Sequence, residues 1–467
     1  MKRIIAGSLL FLLPVAAWPQ RDTIPLFSLE DVYRQNYWLS SGNPISLSFN
    51  KFRSFSIAQA TYRHSKGNFG NPALPASANR YFIDCQSFQQ LGKASLYGHI
   101  SYSLNKEHQV SLSGMTNSYW QAVHLYDSIS GNRHSEKYRL GGGVSLPLDK
   151  HWLIGVGADY NVEQTAKDTD PRHKNQWMAW QLAPGTSYRH GKTRLGVSLY
   201  YSVKKEEIDY RNMGNHTDHP ILIGYPLGYN KSLPQKESVH WHYTGQEKGA
   251  SLQVDLPLRS FRFFQQIQGS VSHQKVMSNR IQNRKEAHTD GWQIAYKGHL
   301  LRQTLHTRQE WNAYILYNRF KNYDPLQEQT AAGRWQSYGE VLRSSRQREL
   351  YTFNYKYELL NKEQYPFFAF TSGVIYYKTG NSLFFYPTEY AQSHHNGTIY
   401  STATRTFFLK RGHLKAALRG HYQTNSRWGL SSSLTYTRTQ PLSWFVRLDG
   451  AYISAYRKIE TRFGWVF

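Results

Sequence analysis

The final residues of the chain, Arg457–Phe467, alternate between two kinds of side chain. One set comprises Ile459, Thr461, Phe463, Trp465 and Phe467, and the set between them comprises Lys458, Glu460, Arg462 and Gly464. Successive side chains of a β-strand point to opposite faces. The pattern therefore predicts a strand with one face against an apolar medium and the other against water.

An amphipathic strand that ends in Phe resembles the closing strand of bacterial outer-membrane β-barrels. In those proteins the assembly machinery recognises the terminal strand as an insertion signal. The resemblance makes Phe463, Trp465 and Phe467 the predicted membrane-insertion signal. It also makes the barrel assembly machinery an expected partner.

The same period of two recurs along most of the chain in segments of about ten residues, the length of a tilted strand that crosses a bilayer. Trp152–Val162 and Leu195–Val203 are examples. Lipid excludes open sheet edges, so such strands must close. We predict an all-β fold, an antiparallel transmembrane β-barrel of the outer-membrane type with about 16 strands (range 14–18).

The connections between these segments differ in length. Tight turns at Gly412 and at Asn425–Ser426 are predicted on the periplasmic side, as short turns usually are. Longer polar stretches are predicted to be exterior loops, and the longest runs over Lys205–Lys248. We therefore expect long exterior loops and short periplasmic turns.

Composition agrees with a barrel. The mean hydropathy is −0.63, yet aromatic residues make up 15% of the chain. Barrel strands are apolar on one face only and carry aromatic girdles at both interfaces, which explains both values. After the amino-terminal segment no run of 18 apolar residues occurs, and this excludes a helical membrane protein.

Three regions are predicted. Residues 1–19 have the basic start and short apolar stretch of a secretory signal peptide. Residues 20–44 form a leader in which Ser28–Leu39 is either a short helix, with Ser28 and Asp31 as a loose capping box, or unstructured. Residues 45–467 form the barrel, which leaves no room for a plug of the size found in TonB-dependent transporters. The expected location is the outer membrane.

The formal net charge of +25 points to anionic surroundings. For an exported protein these are outer-membrane lipid and lipopolysaccharide, and we expect no nucleic-acid partner. Alternatively, Lys and Arg simply line a wet lumen and the loops. The single cysteine, Cys85, excludes an intramolecular disulfide.

Short glycine and aromatic motifs, Gly67–Pro72, Phe88–Lys93 and Leu96–Tyr102, resemble an uncharacterised Bacteroidetes outer-membrane barrel family, domain of unknown function 6850. Asn43-Pro44 also resembles the Asn-Pro signal near the mature start of Bacteroidetes barrels, including the fatty-acid-porin class, although Ile45 stands where that class usually has Ala. The resemblance implies a compartment and a fold, and it supplies no substrate or catalytic residue.

Histidine is abundant, with 20 residues. His240 and His242 are two apart and share a strand face, so with His216 and His219 from the same long loop they could bind zinc or copper. His394-His395 is a weaker candidate. The alternative is that these are scattered histidines in solvated loops, with no cofactor.

No enzyme signature is found, so we predict that the protein is not an enzyme. A porin-like or gated channel for a small solute is the first functional hypothesis. The second is an accessory or structural subunit of a cell-surface complex with an envelope protein partner, and the third is an outer-membrane hydrolase.

Overall fold

The computed structural model describes residues 28–67, 74–112, 114–116, 123–213, 220–233, 238–278, 284–424, 427–439, 443–453 and 456–466. One α-helix and three 3₁₀-helices occur in these ranges: α1 (Leu29–Gln35), Tyr37–Ser41, Pro44–Phe49 and Pro226–Gly228. The strands are β1 (Ser54–Gly67), β2 (Ser77–Leu91), β3 (Ala94–Val110), β4 (His124–Asp127), β5 (Gly131–Pro147), β6 (Trp152–Lys167), β7 (Arg172–His190), β8 (Thr193–Arg211), β9 (Ile221–Gly224), β10 (Asn230–Ser232), β11 (Val239–Leu258), β12 (Phe261–Ser278), β13 (Arg284–Gln303), β14 (Thr307–Gln329), β15 (Trp335–Leu360), β16 (Pro366–Phe385), β17 (Thr388–Leu409), β18 (Gly412–Gln423), β19 (Arg427–Arg438), β20 (Ser443–Ile453) and β21 (Tyr456–Val466).

Eighteen of the described strands form one antiparallel sheet that closes on itself, because β1 pairs with both β2 and β21. The predicted fold class is confirmed, and the strand number lies at the upper end of the predicted range. The other three strands, β4, β9 and β10, form a small separate sheet. No helix within the part of the chain that the structure describes is long and apolar enough to cross a membrane.

The terminal strand has the predicted faces. Ile459, Phe463 and Trp465 point outward and are 61%, 37% and 41% exposed. Their neighbours point into the barrel, where Glu460 is 1% exposed. The Phe463 and Trp465 rings also meet edge to face, with their centroids 4.6 Å apart. Phe467, the third residue of the predicted insertion signal, lies outside the described residues.

An apolar band encircles the outside of the barrel between two levels of aromatic rings. On β6, Trp152 and Tyr160 mark the two levels, and Ile154 and Val156 lie between them on the outward face. Trp152 and Tyr160 are eight residues apart, which corresponds to about 26 Å along the strand. This matches the apolar band of about 25 Å typical of outer-membrane barrels once the strand tilt is allowed for.

Connections at one end of the barrel span two to five residues, and we take that end as periplasmic. The turn before Gly412 lies there, as predicted. The other turn predicted there, Asn425–Ser426, lies outside the described residues. The strands that flank it, β18 and β19, are antiparallel neighbours.

The longest predicted exterior loop is shorter than expected because its flanking strands continue beyond the membrane. Within the predicted Lys205–Lys248 loop, β8 runs on to Arg211 and β11 begins at Val239. Strands β14 and β15 are 23 and 26 residues long, more than twice the length that a bilayer requires. Ladder hydrogen bonds between neighbouring strands keep these polar stretches in strand conformation.

The barrel wall begins later than predicted. The first strand starts at Ser54 rather than at Ile45, and Pro44–Phe49 is a 3₁₀-helix. Asn43 caps this helix by accepting a hydrogen bond from the Ile45 backbone N–H, and Pro44 is well placed in its first turn. The described part of the leader, from Ser28 onward, and the first residues assigned to the barrel thus form a series of short helices.

Candidate functional site: a plugged cationic lumen

Residues 28–53, here called the plug segment, fold into the periplasmic mouth of the barrel. The segment begins with α1, where Ser28 accepts a hydrogen bond from the Asp31 N–H and donates one to its carboxylate. The short-helix alternative for Ser28–Leu39 is therefore confirmed over Leu29–Gln35. Gly42 lies between the 3₁₀-helices Tyr37–Ser41 and Pro44–Phe49. Its positive φ of 72° favours glycine.

Buried polar contacts fix the middle of the plug segment to β11 and β12. Trp38 Nε1 donates to Asp255 Oδ2 at 2.9 Å, and Asn43 Nδ2 donates to Gln253 Oε1 at 3.0 Å. Gln266 Nε2 donates to the Ser41 carbonyl at 3.0 Å. Buried polar groups are costly unless paired, so these contacts specify one position for the segment.

Inward-facing glycines make room for the plug segment on neighbouring strands. A Cβ on Gly185 would lie 2.1 Å from Asn43 Oδ1, and one on Gly196 would lie 2.9 Å from the Trp38 ring. A Cβ on Gly155 would approach the Ile45 nitrogen at 3.1 Å. Gly155 therefore packs directly against the plug segment.

Ion pairs hold α1 against the opposite wall. Glu30 lies 2.9 Å from Lys415 Nζ and 3.8 Å from Lys356 Nζ. Arg34 approaches Glu358 at 4.0 Å, and Arg308 donates to the Arg34 carbonyl at 2.7 Å. The plug segment is thus attached around the whole mouth of the barrel rather than along one strand.

Lys415 lowers the pKa of Glu30 to about 2, and Lys356 and Arg447 act in the same direction against the effect of burial. The carboxylate is therefore ionised at any ordinary pH. Its side chain is 57% exposed towards the cavity, so water screens these ion pairs. A competing anion can reach the same cations.

A cavity of about 680 Å³ lies directly above α1, against β17–β21 and β1. A second cavity of about 260 Å³ adjoins it beside β1, β2 and β21. Together they are lined by three acidic residues, Glu30, Asp449 and Glu460, and by seven cationic residues, Arg63, Arg80, Lys415, Arg419, Arg447, Lys458 and Arg462. The lining therefore carries an excess of four positive charges.

Most of these cations share the few carboxylates. Glu460 is approached by Arg63 at 2.8 Å, Lys458 at 2.9 Å and Arg462 at 2.5 Å. Arg63 and Glu460 are opposite each other where β1 and β21 close the barrel. One carboxylate cannot neutralise three cations, so this wall remains positive.

Two cavity arginines have no ion pair with any residue that the structure describes. Arg419 lies over the Tyr400 ring at 4.2 Å, and Arg80 lies over the Phe82 ring at 5.7 Å. Hydroxyl groups of Ser431, Ser433 and Thr435 line the same wall. Guanidinium and hydroxyl donors of this kind can bind a carboxylate or a phosphate.

The small exterior sheet covers part of the opposite mouth. Strands β4 and β9 pack against the inward faces of β8, β11, β12 and β13 through a buried apolar cluster that includes Leu125, Tyr210, Ile221 and Trp241. Tyr229, just after the β9–β10 turn, reaches across to the Phe385 ring at 4.8 Å. The cavities lie on the other side of the lumen, along β17–β21, β1 and β2.

The predicted histidine site is only partly described. His240 and His242 lie side by side on the outward face of β11, with ring centroids 4.3 Å apart. His216 and His219 lie outside the described residues. Among the described residues, Glu207 and Asp209 on β8 approach the histidine pair, and the sequence search did not single them out. His394 and His395 are adjacent on β17, and His395 bonds the Tyr376 hydroxyl at 2.7 Å.

The fold and lumen together define a β-barrel of the outer-membrane type with a plugged lumen. The family of unknown function DUF6850 matches residues 44–467, and the chain belongs to that family. No curated protein matches the chain.

Solved structures with a similar fold include the ferric yersiniabactin uptake receptor FyuA from Yersinia pestis, with 10% identity, a TM-score of 0.47, and 89% of this chain and 80% of that chain covered. The outer-membrane transporter YddB from Escherichia coli has 7% identity and a TM-score of 0.43, with 90% and 81% covered. The ferric preacinetobactin receptor BauA from Acinetobacter baumannii has 8% identity and a TM-score of 0.42, with 89% and 80% covered.

Proposed function

We propose that the protein is a gated outer-membrane passage for small anionic solutes, and that the plug segment keeps it closed. The observation that carries this proposal is the pair of adjoining cavities above α1, lined by seven cations and three carboxylates. A confined wall of one charge sign raises the local concentration of the opposite ion. The outer membrane is the proposed location because the outward face carries the apolar band and aromatic rings that such a membrane requires.

Glu30 suggests how the passage opens. Its carboxylate already forms an ion pair with Lys415 Nζ at 2.9 Å, at the floor of the larger cavity. An entering anion competes for Lys415 and for Arg447, which pairs with Asp449 on the same wall. Loss of the Glu30 contact removes one attachment of α1, so solute binding and displacement of the plug segment are coupled.

Measurements of ionic current in planar bilayers test this proposal. A plug-release variant, Trp38→Ala with Asn43→Ala, is expected to conduct far more often than the wild type and to prefer anions in a salt gradient. Adding Arg80→Gln and Arg419→Gln should shift the reversal potential towards zero. Lys248→Gln with Lys275→Gln removes the same charge from exposed outward positions and should leave the reversal potential unchanged.

A folded plug-release variant that stays silent, or that prefers cations, would contradict the proposal. Folding can be checked independently by the heat-dependent change in gel mobility that intact barrels show. The prediction that the chain is not an enzyme remains a prediction.

The accessory-subunit hypothesis is the second candidate, and hairpin length favours it. Strands β16 and β17 are 20 and 22 residues long and meet at a tip that includes Tyr386, which is 76% exposed. A hairpin of this length projects well beyond a bilayer. Purification in mild detergent that recovers a stoichiometric envelope protein, together with silent plug-release channels, would favour this function over passage.

A further inference from the structure

His240 and His242 lie outside the lumen and outside the lipid band. They share the outward face of β11, whereas Trp241 between them points inward and is 2% exposed. Across the ladder His240 is opposite Asp209 and His242 is opposite Glu207. On β8 the outward face changes from Leu199 in the apolar band to Glu207 eight residues later, about 26 Å along the strand. The four side chains therefore lie in water on the cell exterior.

Three potential ligands converge in this cluster. One ligand atom each from Glu207, His240 and His242 lies within 4.8 Å of the other two. His242 Nδ1 is 3.5 Å from Glu207 Oε1. Ligand atoms around a tetrahedral zinc ion are about 3.4 Å apart, given zinc–ligand distances of about 2.0–2.1 Å. Small side-chain rotations close this gap, because both imidazoles are about one-third exposed and Glu207 is half exposed.

Asp209 has a different role from the other three residues. Its carboxylate is hydrogen-bonded to His240 Nδ1. A carboxylate on one ring nitrogen fixes the tautomer and leaves the other nitrogen free for a metal ion. In this arrangement His240 presents Nε2, and Asp209 orients the imidazole without being a ligand.

We propose that Glu207, His240 and His242 form an exterior binding site for one zinc or copper ion, with Asp209 orienting His240. Imidazole and carboxylate donors suit these metals, and the Irving–Williams order predicts tighter binding of Cu²⁺ than of Zn²⁺. The two carboxylates offset the charge of the ion. Three protein ligands leave a fourth position for water or for another molecule, as in open zinc sites.

Isothermal titration calorimetry of the detergent-solubilised full chain tests the site, with Zn²⁺ as the probe and Mg²⁺ and Ca²⁺ as hard-ion controls. We expect one Zn²⁺ per chain and no heat from the hard ions. His240→Ala with His242→Ala should weaken Zn²⁺ binding at least roughly 100-fold. Glu207→Gln should weaken it by more than about tenfold, and Asp209→Asn by roughly 10- to 100-fold, as for other orienting carboxylates.

Two histidine pairs serve as matched controls. His394→Ala with His395→Ala removes two exterior histidines from another strand and should leave the heat unchanged. His216→Ala with His219→Ala tests the loop histidines and should also leave it unchanged. Unchanged binding in the His240/His242 variant would overturn the proposal, as would loss of binding in the His216/His219 variant. Far-UV circular dichroism and gel mobility confirm that each variant is folded.

Discussion

Trp38 in the plug segment donates its indole N–H to Asp255 on β11 across 2.9 Å, and both side chains are buried. Arg262 holds the same carboxylate with two further bonds of 3.0 and 2.8 Å. The Asp255 carboxylate is therefore kept in place by the barrel and presented to the plug segment. This contact joins the part of the chain that closes the lumen to the part that forms it.

The indole bond should contribute measurably to closure. Trp38→Phe removes the indole donor and keeps an aromatic ring beside Phe49 and Phe264. A hydrogen bond to a charged group is worth about 1.5–3 kcal/mol, so we expect the open probability to rise roughly 10- to 100-fold. Single-channel recording measures this change. Trp152→Phe on the outward face is the matched control, and an equal effect there would show that the Asp255 contact is unimportant.

Gly185 should be intolerant of a side chain. Gly185→Val would place Cβ only 2.1 Å from the Asn43 amide oxygen and force the plug segment to move. Such overpacking typically costs about 1–3 kcal/mol. We expect faster cleavage of the plug segment by trypsin added on the periplasmic side. Gly269→Val on β12 has no neighbour closer than 4.0 Å and should leave the cleavage rate unchanged.

Closure should weaken in acid because of Glu30. Its pKa falls from an ordinary 4.5 to about 2 when α1 is docked. A lowered pKa in the docked state means that its contribution is fully present above pH 4.5 and is lost as the pH falls towards 2. We therefore expect conductance to rise across this window. Bilayer recordings from about pH 7 to about pH 3 check this expectation.

Glu30→Gln should raise conductance at neutral pH and abolish the further rise in acid. Glu363→Gln, in an exposed periplasmic turn, is the matched control and should behave like the wild type. If Glu30→Gln retains the full acid response, another titrating group must control closure.

A charged side chain on the outward face of β8 should destabilise the barrel. Leu199 is 54% exposed in the apolar band, and Leu199→Arg should cost about 2–4 kcal/mol of unfolding free energy if it lies near the bilayer midplane. Thr244→Arg, on the outward face of β11 beyond the band, should cost little. Urea unfolding in lipid vesicles measures both. Equal stability of the two variants would contradict the assignment of the lipid face.

Much of the barrel could be predicted because its signal is local. The alternation over Ile459–Trp465 requires only that one face meets lipid and the other meets water, and the structure has those faces. The short helix at Ser28 was one of two alternatives that the sequence left open, and its cap gave a local signal because Ser28 and Asp31 are three residues apart. The barrel start at Ser54 was not predictable, because Pro44–Phe49 is apolar enough to be read as a strand.

The amino-acid sequence by itself determined the strand period, the lipid-facing side chains and the helix cap, since each depends on neighbours in the chain. Only the tertiary structure decided that residues 28–53 close the lumen, that Arg63 meets Glu460, and that Glu207 faces His242. Those contacts depend on strand register and barrel closure, which bring together residues as far apart as Arg63 and Glu460. They depend also on the space that glycine residues leave, such as the space beside Gly185 that accepts the Asn43 side chain.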